Sequence, residues 1–168
     1  KGRFEEVVIL PERYNTLVAE LNKEGKPSNA LLAWAHVAAD HPLLEANEGV
    51  ALVIADRFGN ETYLAREMKK RGHGALPLRQ ETKGERYTPV AAASILARDR
   101  CLAWFDEAER EVGERIPRGA FDPGIIHVAR RLFAKGGIDL LGKYAKLHFR
   151  TTERIVGQLP FRGGGEQE

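Results

Sequence analysis

Apolar residues recur along this chain at two spacings, and the alternation between them outlines the fold. Glu6-Val7-Val8-Ile9-Leu10 is a short apolar run stopped by Pro11 and reads as a strand. Tyr14, Leu17, Val18 and Leu21 then share one side of a helix predicted from Pro11 to Leu21, which Gly25, Lys26 and Pro27 end. Ser28 has the chemistry of an N-cap for a second helix. In it Leu31, Trp34, Ala35 and Ala38 form the core-facing stripe, His36 lies at the surface or the core edge, and the end comes near His41, ahead of Pro42.

The pattern changes after Gly49. Val50-Ala51-Leu52-Val53-Ile54-Ala55-Asp56 is apolar up to its last residue, as in a central strand covered on both faces. Helical spacing returns from Asn60 to Arg71 through Tyr63, Leu64 and Met68, and Gly72-His73-Gly74 turns the chain into a second short strand, Ala75 to Leu78. Thr88 and Pro89 suit the N-cap and first position of a long helix. Val90, Ala97, Cys101, Phe105, Ala108 and Val112 make its inner seam, and Gly113 stops it. Asp122 and Pro123 start a further helix with Ile125, Val128, Ala129, Leu132 and Phe133 inward. Gly136-Gly137 breaks it before a last stretch holding Leu140, Leu141 and Tyr144. Strands interleaved with helices make an α/β fold the expectation, with a helical carboxyl-terminal region.

Composition adds three constraints. At 168 residues and 43% hydrophobic, the chain can bury an ordinary single-domain core. No apolar run reaches spanning length, and the first residues contain no hydrophobic signal core, so a soluble, cytoplasmic protein without membrane contact is expected. The single cysteine, Cys101, excludes an internal disulfide, fits a reducing compartment and is expected to be buried on the apolar seam.

Charge is unevenly distributed. Net charge is only +2, yet the stretches Arg66 to Arg100 and Ile126 to Arg154 each carry an excess of +5, whereas the first 56 residues hold nine acids against five bases. Two basic stretches around isolated carboxylates fit either a polyanion held near a metal site or ordinary solvated helix faces. Asp56 ends an apolar strand, where sites form in open α/β sheets, and is either a metal ligand or a capping aspartate ahead of Gly59-Asn60. Glu85 stands in a basic loop just before the long helix, a good place to present a carboxylate. The slim Ala91-Ala92-Ala93-Ser94 run that follows allows close approach of a backbone or a bulky polymer.

Seven blocks in order give a family resemblance: Leu10-Pro11 with Tyr14-Asn15, Asn29 to His36, Val53 to Phe58, Thr82-Lys83-Gly84-Glu85, Val90 to Arg98, Ile116 to Ala120, and Ala145 to Phe149. Together they resemble the prokaryotic type 2 ribonucleases H, in the ribonuclease HIII branch. The resemblance implies a ribonuclease H-like mixed sheet with helices, and cleavage of the RNA strand of RNA/DNA hybrids with Mg2+ or Mn2+ held by four acids in the order Asp, Glu, Asp, Glu. By that resemblance Asp56 is the third acid and Glu85 the fourth, both catalytic and both metal ligands. Lys83, Arg86, Ser94, Arg98, Lys146 and His148 fall where substrate contacts are expected.

The first two acids of the family lie in an Asp-Glu-(Ala)-Gly-Arg-Gly type motif, and nothing like it occurs here. Residues 1–158 are therefore expected to form a partial catalytic domain lacking its first strands, and 159–168 a disordered tail. The absent part of the same protein is an expected partner beside the hybrid, and exposed sheet edges favour association. A non-catalytic nucleic-acid-binding remnant is the alternative expectation.

Overall fold

The computed structural model describes residues 3–119 and 124–157. Six helices and two strands follow one another in these stretches: α1 (Pro11–Lys23), α2 (Asn29–Glu45), β1 (Val53–Asp56), α3 (Glu61–Lys70), β2 (Leu78–Glu81), α4 (Thr88–Val112), α5 (Gly124–Tyr144) and α6 (Arg150–Val156). A 3₁₀ turn, Gly84–Arg86, links β2 to α4. The expected tail at 159–168 and the helix start at Asp122-Pro123 lie outside the described residues. The chain divides into two compact units, one of Lys1–Ile9 with Thr16–Glu107 and one of Leu10–Asn15 with Ala108–Glu168.

In the first unit β1 and β2 pair in parallel, with Val53 opposite Leu78 and Asp56 opposite Glu81. A parallel pair needs a crossover, and α3 supplies it. Asn60 caps α3 by accepting from the Thr62 N–H at 2.9 Å, and Leu64 and Met68, four apart, are fully buried. They pack with Ala33 and Val37 of α2 and Ala55 of β1. Two small side chains on α2 let the helices approach closely, which explains why the core face of α2 is Leu31, Ala33 and Val37. The stripe expected through Trp34 is corrected by this, since Trp34 is 40% exposed.

Three further expectations need correction. Glu6 to Leu10 forms no strand and is largely exposed, because no neighbour among the described residues completes a hydrogen-bonded ladder with it. β2 lies at Leu78–Glu81 rather than at Ala75 to Leu78, where Pro77 lacks the N–H a ladder uses. α2 runs through Pro42 to Glu45. Ser28 stands at its N-cap position without making a side-chain cap, and the first turn is closed instead by the Pro27 and Ser28 carbonyls.

The second unit is helical. Val128, Ala129 and Leu132 from the first half of α5 pack with Leu141 from its second half and Ile155 of α6. Gly136 and Gly137 leave helical geometry between the halves, as the sequence predicts, with Gly137 at φ +65°. Gly113, at φ +80°, ends α4 where expected. Cys101 is exposed, contrary to expectation, as is the whole run from Ala92 to Cys101. Ile95, at 68% exposure, and Leu96 therefore stand in the open on α4.

Candidate active site

The end of β1 and the turn after β2 meet at Asp56. Beyond Glu81 the chain reverses at Lys83, the one described residue other than glycine with positive φ (+60°, ψ +44°). That left-handed conformation is unfavourable for a residue with a β-carbon and aims the following N–H groups away from the strand direction. The Gly84 N–H donates to Asp56 Oδ1 at 3.0 Å. Gly84 is buried against the strand, and a β-carbon there would stand 3.0 Å from Asp56 Cα and 3.2 Å from Asp56 Cβ. The Asp56 carboxylate is thus placed by backbone rather than by a side-chain partner.

Two glutamates leave this turn in different electrostatic states. Glu81, directly across the ladder from Asp56, pairs with the Arg86 guanidinium, lies 3.5 Å from Arg79 Nε, and accepts from the Tyr87 hydroxyl at 3.0 Å. Hydrogen bonding from Arg79, with Arg86 beside the ring, lowers the Tyr87 pKa despite a smaller opposing effect of burial. Glu85, one residue beyond Gly84, is exposed and has no hydrogen-bond or ion-pair partner among the described residues. Asp56 and Glu85 therefore offer uncommitted carboxylate oxygens, while Glu81 serves to hold the loop.

The remaining expected site residues fall into three groups. Lys83 is exposed in the turn, and Arg86 shares its guanidinium between Glu81 and the Tyr87 hydroxyl, 3.1 Å away. Ser94 and Arg98, one helical turn apart, are exposed on α4. Lys146 and His148 belong to the second unit, on the segment between α5 and α6. There Lys146 Nζ lies 4.4 Å from the centre of the Tyr14 ring, and the His148 ring stands 5.5 Å from Tyr14 and 4.1 Å from Phe149. Burial, and after it the charge of Lys146, push the His148 pKa below the ordinary histidine value.

One residue holds that segment. Asn15 Nδ2 donates to the Gly142 carbonyl at 3.0 Å and the Ala145 carbonyl at 2.9 Å, and its Oδ1 accepts from the Leu147 N–H at 2.9 Å. All three hydrogen bonds bridge more than a hundred residues of sequence, which no periodicity encodes. Asn15 entered the sequence reading only as part of the Tyr14-Asn15 block, and Glu81 not as a site residue at all. A carboxylate at the end of a strand was the signal for Glu81, hidden by a three-residue error in the strand's position.

A parallel β-α-β pair brings a strand-end aspartate to a glutamate-bearing turn, followed by a long helix and a helical region, and structural comparison assigns this arrangement to the ribonuclease H-like α/β fold. The crystal structure of Bst-RNase HIII in complex with Mn2+ matches it with a TM-score of 0.73 and 25% identity, over 90% of this chain and 49% of that one. The crystal structure of a mutant form of Bst-RNase HIII gives 0.72 and 25% over the same shares. In sequence, ribonuclease HIII of Chlamydia pneumoniae is 30% identical over 149 residues, 89% of this chain and 48% of that protein. Ribonuclease HIII of Chlamydia muridarum is 30% identical over 151 residues, 90% of this chain and 48% of that protein. No family model matches the chain. The chain is a homologue of ribonuclease HIII and spans about half the length of the relatives it matches.

Proposed function

We propose that this chain carries part of the active site of a metal-dependent endoribonuclease that hydrolyses the RNA strand of RNA/DNA hybrids. The observation that carries the proposal is the Asp56 to Gly84 hydrogen bond, which fixes one carboxylate beside the turn bearing another while leaving both available. Hard oxygen donors on two exposed carboxylates suit Mg2+ or Mn2+, ions that keep several waters and use few protein ligands. Asp56 and Glu85 would hold the metal. When bound, such ions activate water and offset the charge that develops at the leaving 3′ oxygen.

The protein's own groups hold and orient the hybrid in this proposal. Lys83 and Arg98 present exposed cations to phosphates, Arg86 does so while also bound to Glu81, and Ser94 offers a hydroxyl one helical turn from Arg98 on a helix kept slim by alanines. Lys146 and His148, exposed on the second unit, give that unit a cation and an imidazole for nucleic-acid backbone. Contacts to 2′-hydroxyl groups would distinguish RNA from DNA. The remaining two acids of the family's set would come from polypeptide outside this stretch. A cytoplasmic setting goes with this reading and with the single cysteine.

A second reading, hybrid binding without cleavage, draws on Glu81. Its engagement by Arg79, Arg86 and Tyr87 removes the nearest further carboxylate from metal binding. Cleavage of a labelled RNA/DNA hybrid with Mg2+ or Mn2+, by the chain joined to polypeptide that supplies the two remaining acids, separates the two. The hydrolase reading expects cleavage that falls at least about a hundredfold in Asp56→Asn and in Glu85→Gln, the scale of a lost catalytic group. Salt-dependent binding with no cleavage under either metal favours the second.

A further inference from the structure

A second cluster of metal-type ligands lies in the first unit, on elements that the proposed nuclease chemistry does not use. His41 and Glu45 are four residues apart on α2, on one face of the helix because α2 continues past Pro42. His73 comes from the turn after α3. Gly72, at φ +86°, makes the reversal, and Gly74 is pressed against Lys69, where a β-carbon would stand 3.2 Å from its Cα. The His73 N–H is bonded to the Met68 carbonyl at 2.9 Å. At 9% exposure, His73 is the one buried polar or charged residue among the described residues.

Its ring is aimed at α2. His41 Nδ1 and His73 Nε2 are 2.7 Å apart, and Glu45 Oε1 stands 4.0 Å from the first and 3.7 Å from the second. Ligand atoms of a tetrahedral zinc ion stand about 3.4 Å from one another, so each of these separations lies within about 0.7 Å of that spacing, and the two imidazoles, hydrogen-bonded to each other here, would part by that much to admit the ion. Without an ion one ring donates its N–H to the other's lone pair. With an ion both nitrogens present lone pairs, and the proton moves to the other nitrogen of the donor ring.

We infer that His41, Glu45 and His73 form a zinc site that clips the carboxyl-terminal end of α2 to the turn following α3. Two imidazoles and one carboxylate suit zinc and its late first-row neighbours rather than magnesium, which prefers an all-oxygen shell. Three protein ligands leave the fourth tetrahedral position to water, on the side where Glu45 is exposed. Because the ligands come from separate elements of one core, zinc would stabilise the folded unit by mass action, independently of any hybrid binding.

The test titrates the whole chain with Zn2+ by calorimetry and with Co2+ by visible absorption, whose intensity reports tetrahedral coordination. The background is the Asp56→Asn/Glu85→Gln variant, which removes the other candidate metal ligands. One zinc per chain and a tetrahedral cobalt spectrum are expected. Affinity should fall by more than about tenfold in His41→Ala and in Glu45→Gln, at least the loss that even an outer partner of a metal ligand causes. His73→Ala should abolish binding. Should that buried substitution fail to fold, Glu45→Gln still decides, since its side chain is 63% exposed and contributes little to the core. Absence of zinc uptake, or uptake unchanged in His41→Ala and Glu45→Gln, would overturn the assignment.

Discussion

The junction of β1 with the turn after β2, which presents Asp56 and Glu85, and the segment that presents Lys146 and His148 are held by opposite means. Asp56 is located by main-chain contact: a glycine packed on the strand and one N–H donated to one carboxylate oxygen. Lys146 and His148 ride on a segment whose backbone is fastened by a single side chain, Asn15, through three hydrogen bonds. The difference follows from what each group must keep free. A carboxylate meant for a cation loses its use once side-chain cations occupy it, as Glu81 illustrates. A lysine can have its carrier backbone fixed, and its charge resting on an aromatic face, and still reach a phosphate.

The largest effect in this comparison belongs to Asn15→Ala. Two carbonyls and one N–H in the second unit lose their partner at once, and urea unfolding should show a loss of about 2–4 kcal/mol. A loss below about 0.5 kcal/mol, the level of an ordinary surface change, would mean that the segment is held by something else.

Gly84→Val is the matching break in the first unit. Its branched side chain meets the Asp56 backbone where a β-carbon already stands at 3.0 Å, so about 1–3 kcal/mol of overpacking strain is expected, together with weakened Mn2+ binding. Gly84→Ala needs shifts of only a few tenths of an ångström and should be much milder. Equal effects of the two would argue against close packing as the device.

The smallest effect sharpens the second region. Lys146 is the lesser of the two causes that lower the His148 pKa, so Lys146→Ala should raise it part of the way toward the ordinary histidine value in an NMR titration. With its folded pKa below its unfolded one, His148 contributes stability that is present above the unfolded histidine value and lost as pH falls through the folded one. The amount is small because burial of His148 is only partial, the residue as a whole being exposed. A pKa unmoved by the substitution would leave burial as the sole cause.

Local patterns made much of this legible in the sequence. The amphipathic spacing of Tyr63, Leu64 and Met68, the stop at Gly113 and the break at Gly136-Gly137 are encoded within a few residues, and each is where the sequence puts it. Asp56 was visible as a polar end to an apolar run. What depends on neighbours was not visible. Glu6 to Leu10 has strand composition without a paired strand, and Ile95, Leu96 and Cys101 lie on a helix face that the described residues leave open. Pro42 reads as a helix end, yet α2 continues through it, which is why the alignment of His41 with Glu45 had no sequence signal. The partnership of Asp56 with Gly84 and of Asn15 with Gly142, Ala145 and Leu147 depends on tertiary contact alone.

If Asp56 and Glu85 together make a divalent-cation site, Mn2+ bound there broadens nearby amide resonances through its unpaired electrons. In an amide-resolved NMR spectrum of the His41→Ala chain, which lacks the inferred zinc site, substoichiometric Mn2+ should selectively broaden the resonances of Asp56, Gly84 and Glu85, and Asp56→Asn should abolish the effect. Broadening centred elsewhere, or unchanged by Asp56→Asn, would contradict the account.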